Sequence, residues 1–283
     1  MNTPFNFLGI PPIKPQAAQV IILPVPFEHT TSYGQGTKNG PRAIIEASRQ
    51  VELFDPAYGD EIQNLVKIAT APTAKGGLKS LAATAAKYQN SFLISLGGEH
   101  SITPELVKPF LKKHGDLSIL QIDAHTDLRQ TYEGSKQSHA CAMRRVQELG
   151  INKIIQVGIR NTAKEEQIYI KPANIFWGNK YSVSDILARL SDHVYLTFDV
   201  DGLDPSIMPA TGTPEPGGLS YEQALELMQA VAEKKNIVAA DFVELSPIKN
   251  IPAYDFIVAK LIYKLIGFKF KLHAQKRSAQ RKN

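Results

Sequence analysis

The sequence predicts a single three-layer α/β/α domain with a mostly parallel central sheet, and three observations carry this prediction. Short apolar runs alternate with segments of helical periodicity along most of the 283 residues, which is the pattern of alternating strands and helices. The runs are continuously apolar and no hairpin signal joins any two of them, as in parallel strands covered on both faces. Polar motifs directly follow several runs, at the strand ends where such sheets bind ligands.

The strands and helices can be placed in order along the chain. Apolar runs place strands at 20–23, 92–96, 117–122, 154–158, 194–198 and 238–243. Helical periodicity places one helix after Pro41, which suits a first helical position, and others at 78–89, 101–113, 140–149, 163–170, 221–234 and 254–265. The intervening loops at 34–41, 128–138 and 204–218 are rich in glycine, proline or polar residues. In the last helix, Lys260 and Lys264 lie one turn apart and predict a solvent-facing side.

The basic residues are concentrated near the C-terminus. The net charge is +5, and residues 268–283 contain six lysines and arginines and no acid, so the rest of the chain carries about −1. The domain is therefore predicted to span residues 1–267, and residues 268–283 to form a basic, disordered tail. Because the excess charge is confined to this tail, the sequence argues against a nucleic-acid partner.

Three features predict a cytoplasmic protein without a membrane partner. Cys141 is the single cysteine, so an intrachain disulfide is impossible and a reducing compartment is expected. Residues 1–16 lack the charged-then-apolar pattern of a secretory signal. The most apolar stretch, 256–268, contains two lysines and is too short to cross a bilayer.

Carboxylates and imidazoles follow three of the predicted strands. After strand 117–122, Asp123, His125 and Asp127 occupy alternate positions, so in extended backbone their side chains leave on one face. Such groups cost too much desolvation to form a core, and a cation is their natural partner. The candidate metal ligands at the three strand ends are His100, Asp123, His125, Asp127, Asp199 and Asp201.

These six ligands exceed the needs of one ion and predict two divalent ions that share bridging carboxylates. Oxygen-rich coordination without a thiolate favours Mn²⁺ over structural Zn²⁺. Four aspartate charges balance two divalent ions, so a metal-bound hydroxide leaves the cluster slightly negative. Such a site suits a cationic electrophile.

Five motifs resemble those of the ureohydrolases, the family that contains arginase and agmatinase. They are Gly-Gly-Glu-His-Ser at 97–101, Asp-Ala-His-Thr-Asp at 123–127, Phe-Asp-Val-Asp-Gly-Leu-Asp-Pro at 198–205, Ala-Thr-Gly-Thr-Pro-Glu-Pro-Gly-Gly-Leu at 210–219 and Val-Glu-Leu-Ser-Pro at 243–247. The resemblance spans about residues 20–266. It implies an arginase-like fold, an assembly of three or six copies, and hydrolysis of a guanidinium group to urea and an amine.

The resemblance also implies a role for each matching residue. One Mn²⁺ is bound by His100, Asp123, Asp127 and Asp199, the other by Asp123, His125, Asp199 and Asp201, and a hydroxide bridging the two ions attacks the guanidinium carbon. Asp127 steers this hydroxide and passes its proton to the leaving amine, and His139 shuttles protons. Glu244 holds the guanidinium group, and Thr213 lines the substrate pocket.

The resemblance is greatest to agmatinase, which implies hydrolysis of agmatine to putrescine and urea, a step of polyamine biosynthesis. Arginases share a Ser-Gly-Asn run and an acidic pair that hold the amino acid's carboxylate and ammonium, and neither is present at 132–138 or 158–162. The far amine of agmatine could meet Glu133, Glu165 or Glu166. Lys136, Arg129 and Arg160 lie in the same segments and could receive a carboxylate, so guanidinobutyrate remains an alternative substrate, and arginine another.

Three more distant functions are weighed as alternatives. Binuclear metallophosphoesterases also use an Asp-x-His strand end, but they complete their site with a Gly-Asn-His run that this chain lacks. A deacetylase with a single ion would leave the second aspartate pair unexplained. A non-catalytic binding protein would be expected to have lost ligands, whereas all six positions are filled.

Overall fold

A parallel sheet forms the centre of the molecule. The structure is a computed structural model that describes the backbone of residues 4–280 and the side chains of residues 4–270. The strands are β1 (Val20–Val25), β2 (Phe54–Asp55), β3 (Asp60–Glu61), β4 (Ile68–Thr70), β5 (Phe92–Gly97), β6 (Leu117–Ile122), β7 (Ile154–Ile159), β8 (Ile175–Trp177), β9 (His193–Asp199) and β10 (Asn236–Val243). Eight of them pair in parallel in the order β4-β1-β5-β10-β9-β6-β7-β8. The predicted parallel sheet is confirmed.

Helices cover both faces of this sheet. They are α1 (Gly40–Ser48), α2 (Ile62–Leu65), α3 (Leu78–Ala86), α4 (Thr103–His114), α5 (Ala142–Glu148), α6 (Val183–Arg189), α7 (Tyr221–Lys234) and α8 (Ala253–Gln280). Successive residues of β1 enter different cores: Val20 and Ile22 pack with α1, α7 and α8, whereas Ile21 and Leu23 pack with α3, α4 and α5. Both sides of each inner strand are thus buried, which explains why the runs are continuously apolar.

Several predictions about short elements are wrong. The segment 163–170 forms only a 3₁₀ turn, Lys164–Glu166, because the Glu166 carboxylate accepts the Ala163 N–H at 2.5 Å and holds the chain in a turn. A small antiparallel hairpin, β2 with β3, exists where no hairpin was expected. The edge strands β4 and β8 were also missed. Each has three residues or fewer, too few to show an alternation or a periodicity.

The last helix packs against this hairpin. The Lys264 ammonium lies 2.6 Å from the buried Asp55 carboxylate, and the Tyr263 hydroxyl donates to the Leu53 carbonyl. The predicted solvent-facing side at Lys264 is therefore wrong. Phe268 belongs to the core, one residue beyond the predicted end of the domain. The backbone of α8 continues to Gln280, past the helix end predicted at 265. The side chains of 271–280 and all of residues 281–283 lie outside the described residues, and the disorder of the tail stays a prediction.

No helix in the described part of the chain has both the length and the apolar composition that crossing a membrane requires.

The strand order brings distant parts of the sequence together at one edge. The strands β5, β10, β9 and β6 are neighbours at the centre of the sheet, and all four end at the same edge because they are parallel. Each of the ligand motifs follows β5, β6 or β9 at that edge. The crevice beyond such strand ends is the usual place for a ligand in a parallel sheet.

Candidate active site and metal centre

A cavity of about 180 Å³ opens at the carboxyl ends of the central strands. Its floor is lined by His100, His125, Asp127, Asp199, Asp201 and Glu244. The rest of its lining comes from four segments: residues 31–34, the loop from Arg129 to Ala140, residues 161–163 with Glu166, and residues 211–213. The predicted site residues therefore converge on one cavity, apart from the fully buried Asp123.

Three carboxylates surround one nitrogen of His100. Its Nδ1 lies 3.0 Å from Asp127 Oδ2, 3.2 Å from Asp123 Oδ2 and 3.4 Å from Asp199 Oδ2. Among the described residues this buried nitrogen has no hydrogen-bond partner. Ligand atoms at about 2.1 Å from one cation lie about 3 Å apart, which matches this spacing. The geometry fits a cation held between His100 and the aspartates.

A second group lies beside the first and shares Asp123 with it. His125 Nδ1 lies 3.0 Å from Asp201 Oδ2 and 3.7 Å from Asp123 Oδ1. The sets His100, Asp123, Asp199 and Asp123, His125, Asp201 each bring their ligand atoms within 4.8 Å of one another. Two adjacent groups with a common carboxylate fit a pair of ions better than a single ion.

The ligands of the central motif do not leave one face of a strand as predicted. The strand β6 ends at Ile122, and Asp127 adopts a left-handed backbone conformation with φ +52°. This turn directs Asp127 to the His100 group, whereas His125 meets Asp201. Gln121 fixes Asp123 by donating to its Oδ2 at 2.6 Å. The alternate spacing pointed to residues that do converge, but a loop after the strand brings them together.

Two glycines allow the strand ends to approach closely. A Cβ on Gly202 would lie 2.8 Å from the Asp123 nitrogen, and a Cβ on Gly98 would lie 2.0 Å from the Phe27 carbonyl oxygen. Real Cβ atoms do not approach that closely, so both positions require glycine. Gly202 thereby sets the separation between the β6 and β9 ligands, and Gly98 sets the start of the turn that carries His100.

The pKa values in the cluster reflect crowded negative charge. Burial, together with repulsion from Asp201 and Asp127, raises the pKa of Asp123 to about 7. Burial and the neighbouring Asp201 and Asp123 raise the pKa of Asp199 well above its usual range. Burial alone would lower the pKa of His125, but attraction to Asp201 raises it to about 10. The cluster therefore favours added positive charge, as a proton or as a metal ion.

A buried chain of hydrogen bonds fixes the orientation of His100. Thr197 Oγ1 donates to Asp241 Oδ1 at 2.6 Å, so it accepts from His100 Nε2 at 2.8 Å. Tyr195 and Thr103 donate to the other Asp241 oxygen. His100 Nε2 therefore carries a proton and Nδ1 is the nitrogen available to a cation. Sequence reasoning missed Thr197 and Asp241, since neither lies in a motif.

Glu244 lies at the end of β10 on the cavity floor. Its backbone has φ +66°, and its Oε1 accepts the His100 N–H at 2.6 Å. Burial raises the pKa of its carboxyl group well above the usual range. This position adds a fourth carboxylate to the cavity floor, beside those of Asp127, Asp199 and Asp201.

His139 lines the same cavity as the cluster, in a 3₁₀ turn before α5. Its ring lies edge-on to Tyr132, with the ring centroids 5.9 Å apart. Its backbone N–H donates to Thr30 Oγ1 at 3.0 Å. The predicted loop histidine is thus attached to the segment after β1, a contact that its own surroundings in the sequence do not indicate.

Two threonines of one turn line the cavity differently. Thr213, the predicted pocket residue, is exposed at the rim. Thr211 lies deeper, and its buried hydroxyl has no hydrogen-bond partner among the residues that the structure describes. Sequence reasoning missed Thr211, although the repeated threonine in the motif was a usable signal.

The two arginines considered as carboxylate receivers are already engaged. The Arg160 guanidinium donates to the backbone carbonyls of Gly158, Asp201, Leu203 and Glu215 at 2.6–3.3 Å. Arg129 pairs with Glu165 at 2.5 Å and covers the Tyr132 ring. Both side chains therefore hold loops around the cavity.

Of the three glutamates considered for a far amine, only Glu166 lines the cavity. Its carboxylate accepts the backbone N–H groups of Leu128 and Ala163. Glu133 is exposed, as is Lys136, and neither lines the cavity.

The fold and the clustered carboxylates and imidazoles define a class of metal-dependent α/β hydrolases. The chain belongs to the arginase family, whose model matches residues 18–267. Within that family, which contains binuclear metal enzymes that typically use manganese, the chain is a ureohydrolase.

Relatives and solved structures agree on this membership. The N(1)-aminopropylagmatine ureohydrolase of Synechocystis sp. is 36% identical over 89% of each chain. The agmatinase of Pyrococcus horikoshii is 33% identical over 92% of this chain and 95% of its own. The crystal structure of the agmatine ureohydrolase of Thermoplasma volcanium matches with a TM-score of 0.80 and 29% identity, over 93% of this chain and 94% of that one.

Proposed function

We propose that this ureohydrolase uses two Mn²⁺ ions to hydrolyse agmatine to putrescine and urea. The observation that carries the proposal is the unpartnered His100 Nδ1, which faces three aspartates beside a second group containing His125 and Asp201. The ligands are His100, Asp123, His125, Asp127, Asp199 and Asp201. Bound together, two such ions polarise the substrate and lower the pKa of water so that it becomes a nucleophile at neutral pH.

The side chains of the cavity supply binding and proton transfer. Hydrolysis joins the oxygen of one water to the guanidinium carbon and breaks the bond to the alkyl nitrogen, which must gain a proton. Asp127 and His139 both line the cavity that would receive the substrate, and we assign the transfer of that proton to them. Glu244 is the carboxylate that holds the guanidinium group by a charge-assisted hydrogen bond.

A cationic far end of the substrate is favoured over a carboxylate. Arg160 is occupied by backbone carbonyls and Arg129 by Glu165, so neither offers an unpaired charge to a guanidino acid or to arginine. Glu166 and the cluster add negative charge to the same cavity. An amine opposite the guanidinium group gains from this potential, whereas a carboxylate is repelled.

N(1)-aminopropylagmatine is the second candidate substrate. Three relatives at 36% identity carry the name of an enzyme acting on it, and it differs from agmatine by an added aminopropyl group with a further amine. The cavity is open to solvent, with Tyr33 largely exposed at its rim. A longer polyamine could therefore extend outward past Tyr33.

One comparison of substrates tests both candidates. Urea release with Mn²⁺ present is measured as kcat/KM for agmatine, N(1)-aminopropylagmatine, arginine and 4-guanidinobutyrate. We expect kcat/KM for agmatine or for N(1)-aminopropylagmatine to exceed that for either carboxylate compound by at least about 100-fold. A substrate carboxylate in this cavity would have no cationic partner, and sites discriminate strongly against such unpaired groups. A clear preference for arginine or guanidinobutyrate would overturn the agmatinase assignment and leave the family unchanged.

Assembly and compartment are further parts of the proposal. We propose a homo-oligomer of three or six copies acting in the cytoplasm, in polyamine biosynthesis. A mass of three or six times 31.2 kDa by light scattering is expected, and a monomeric mass would contradict it.

A further inference from the structure

The hydroxyl oxygen of Thr30 contacts two nitrogen atoms of His139. Thr30 Oγ1 lies 3.0 Å from the backbone nitrogen of His139 and 3.3 Å from its ring nitrogen Nδ1. Ser138 Oγ is the other group near that ring nitrogen, at 3.4 Å. Thr30 comes from the segment after β1, 109 residues earlier in the chain. It is therefore an external anchor for the histidine that the proposed function assigns to proton transfer.

The hydrogen of the Thr30 hydroxyl points away from His139. Glu99 is fully buried, and four donors converge on its carboxylate: the N–H groups of His29 and Thr30 at 2.6 Å, the Ser101 hydroxyl at 2.6 Å and the Thr30 hydroxyl at 2.7 Å. Four donors occupy the four lone-pair positions of an ionised carboxylate, which can only accept. The Thr30 hydrogen is thus committed to Glu99.

The remaining lone pairs of Thr30 can then only accept, and both point to His139. One accepts the His139 backbone N–H. The other faces the ring nitrogen Nδ1 at 3.3 Å, and because Thr30 can only accept, this contact favours the tautomer with its proton on Nδ1. A proton held on Nδ1 leaves Nε2 as the nitrogen that binds and releases a proton. Since His139 lines the cavity, the orientation of its ring decides whether that nitrogen can reach the substrate.

We propose that Glu99 and Thr30 are positioning residues for His139, fixing its tautomer and ring orientation for proton transfer. This inference rests on the proposed function, because it needs His139 to exchange protons with the substrate. Neither residue touches the reacting atoms. Their effect is transmitted through two hydrogen bonds in series, from the Glu99 carboxylate to the Thr30 hydroxyl and from there to the imidazole.

The test compares Thr30→Val with Thr30→Ser. Valine keeps the shape of threonine without the hydroxyl, whereas serine keeps the hydroxyl. We expect Thr30→Val to lower kcat at least about 10-fold, part of the 10²–10⁴ that an acid–base group contributes, with KM and manganese content unchanged. Thr30→Ser should retain kcat within about 3-fold. Equal losses in the serine and valine variants would overturn the inference.

A double-mutant cycle separates positioning from a general loosening of the loop. In a His139→Ala background, where kcat is expected to fall about 10²-fold with metal retained, adding Thr30→Val should change nothing further. A full additional loss in that background would overturn the inference. If Thr30→Val fails to fold, Thr30→Cys replaces it, since a thiol of similar size is only a weak donor and acceptor. An unchanged kcat in Thr30→Cys would count against the proposal.

The two levels of failure are distinguishable. If the unaltered enzyme releases no urea from any of the four guanidino compounds, the proposed function falls and the inference falls with it. If the unaltered enzyme is active and both Thr30→Val and His139→Ala match it, only the roles of Thr30, Glu99 and His139 are refuted.

Discussion

Thr197 determines which nitrogen of His100 is available to a cation. Its hydroxyl, oriented by Asp241, accepts from Nε2 and leaves Nδ1 for a cation. We expect Thr197→Val to weaken Mn²⁺ binding about 10- to 100-fold, the usual cost of losing the group that orients a metal-binding histidine. Activity measured against free Mn²⁺ concentration should show the shift, with kcat largely recovered at saturation.

Thr103→Val is the matched control for this variant. Thr103 donates to the same Asp241 carboxylate at 2.9 Å, whereas the hydroxyl paired with the imidazole is that of Thr197. Its loss should leave the Mn²⁺ dependence within about 3-fold of the unaltered protein. If both variants shift the curve equally, general damage to the core is the better explanation.

Asp127 can be replaced by asparagine without a change in its backbone conformation. Its φ of +52° is tolerated by asparagine as well as by aspartate, so Asp127→Asn removes the negative charge and keeps the turn. We expect kcat to fall by at least about 10³-fold, because one change removes both a candidate ligand and a proton carrier. Urea release, with circular dichroism to verify the fold, is the measurement. Activity within 10-fold of normal would exclude Asp127 from both roles.

Among single residues, the sequence reveals the side chains with distinctive chemistry but not the residues that orient them through hydrogen bonds. Carboxylates and imidazoles at strand ends were recognisable because burying them without a cation is costly. Thr197, Asp241, Thr30 and Glu99 act through contacts between residues 44–109 positions apart. Threonine is common in strands and loops, so only the folded chain shows which of its hydroxyls meets a functional histidine.

The first turn of α8 contains an acid whose charge opposes folding. Burial, with the nearby Glu46 adding repulsion, raises the pKa of Asp255 from 3.8 to about 6. Between these two values the folded protein binds more protons than the unfolded chain, so the free energy of unfolding falls as the pH rises through that window. Above pH 6 the full penalty is present.

Asp255→Asn should therefore stabilise the protein at neutral pH. We expect a gain of about 1 kcal/mol at pH 7.5, after discounting for solvent screening and for the lost interaction with the helix N-terminus. The gain should vanish near pH 4, where the native acid is protonated. Urea denaturation at both pH values measures it. Asp185→Asn is the control for the helix-end effect, because Asp185 is an exposed acid in the first turn of α6. If the stability gained in Asp255→Asn does not depend on pH, the raised pKa of Asp255 is not its cause.

Long elements were predictable and short ones were not. Most elements of six or more residues display a pattern, and β6, β9, α4 and α7 follow their predicted ranges closely. An exception is the helix α6, seven residues long, which was not predicted. The two-residue strands of the hairpin gain stability from contacts with α8, including the ion pair between Asp55 and Lys264. An ion pair with a buried partner cannot be inferred from a lysine spacing that equally suits a solvated face.

The whole molecule should lose stability when metal is removed. In the cluster, Asp123 and Asp199 have raised pKa values because of burial and mutual repulsion, and two bound cations would relieve that repulsion. A ligand at 100 times its dissociation constant stabilises a fold by about 2.7 kcal/mol per site, so chelation with EDTA should lower Tm by about 5 °C or more. Titration back with Mn²⁺ should restore it at two ions per chain.

Metal analysis of active protein decides between one ion and two. A stoichiometry of one with full activity would contradict the shared role of Asp123. A Tm unaffected by EDTA in protein shown to contain metal would indicate that the cluster is stable without added cations.

The order of strands in the sheet affects the sequence of folding and metal binding. The four strands that end at the cluster are neighbours in space, yet β10 is inserted beside β5 only after about 140 further residues have been added. Pairings of such long sequence separation form late and slowly. Until β10 joins β5 to β9, nothing in the sheet holds His100 beside Asp199, so we expect the proposed metal ions to bind only after the sheet has closed. In a refolding experiment, manganese uptake should therefore lag behind the recovery of helical circular dichroism.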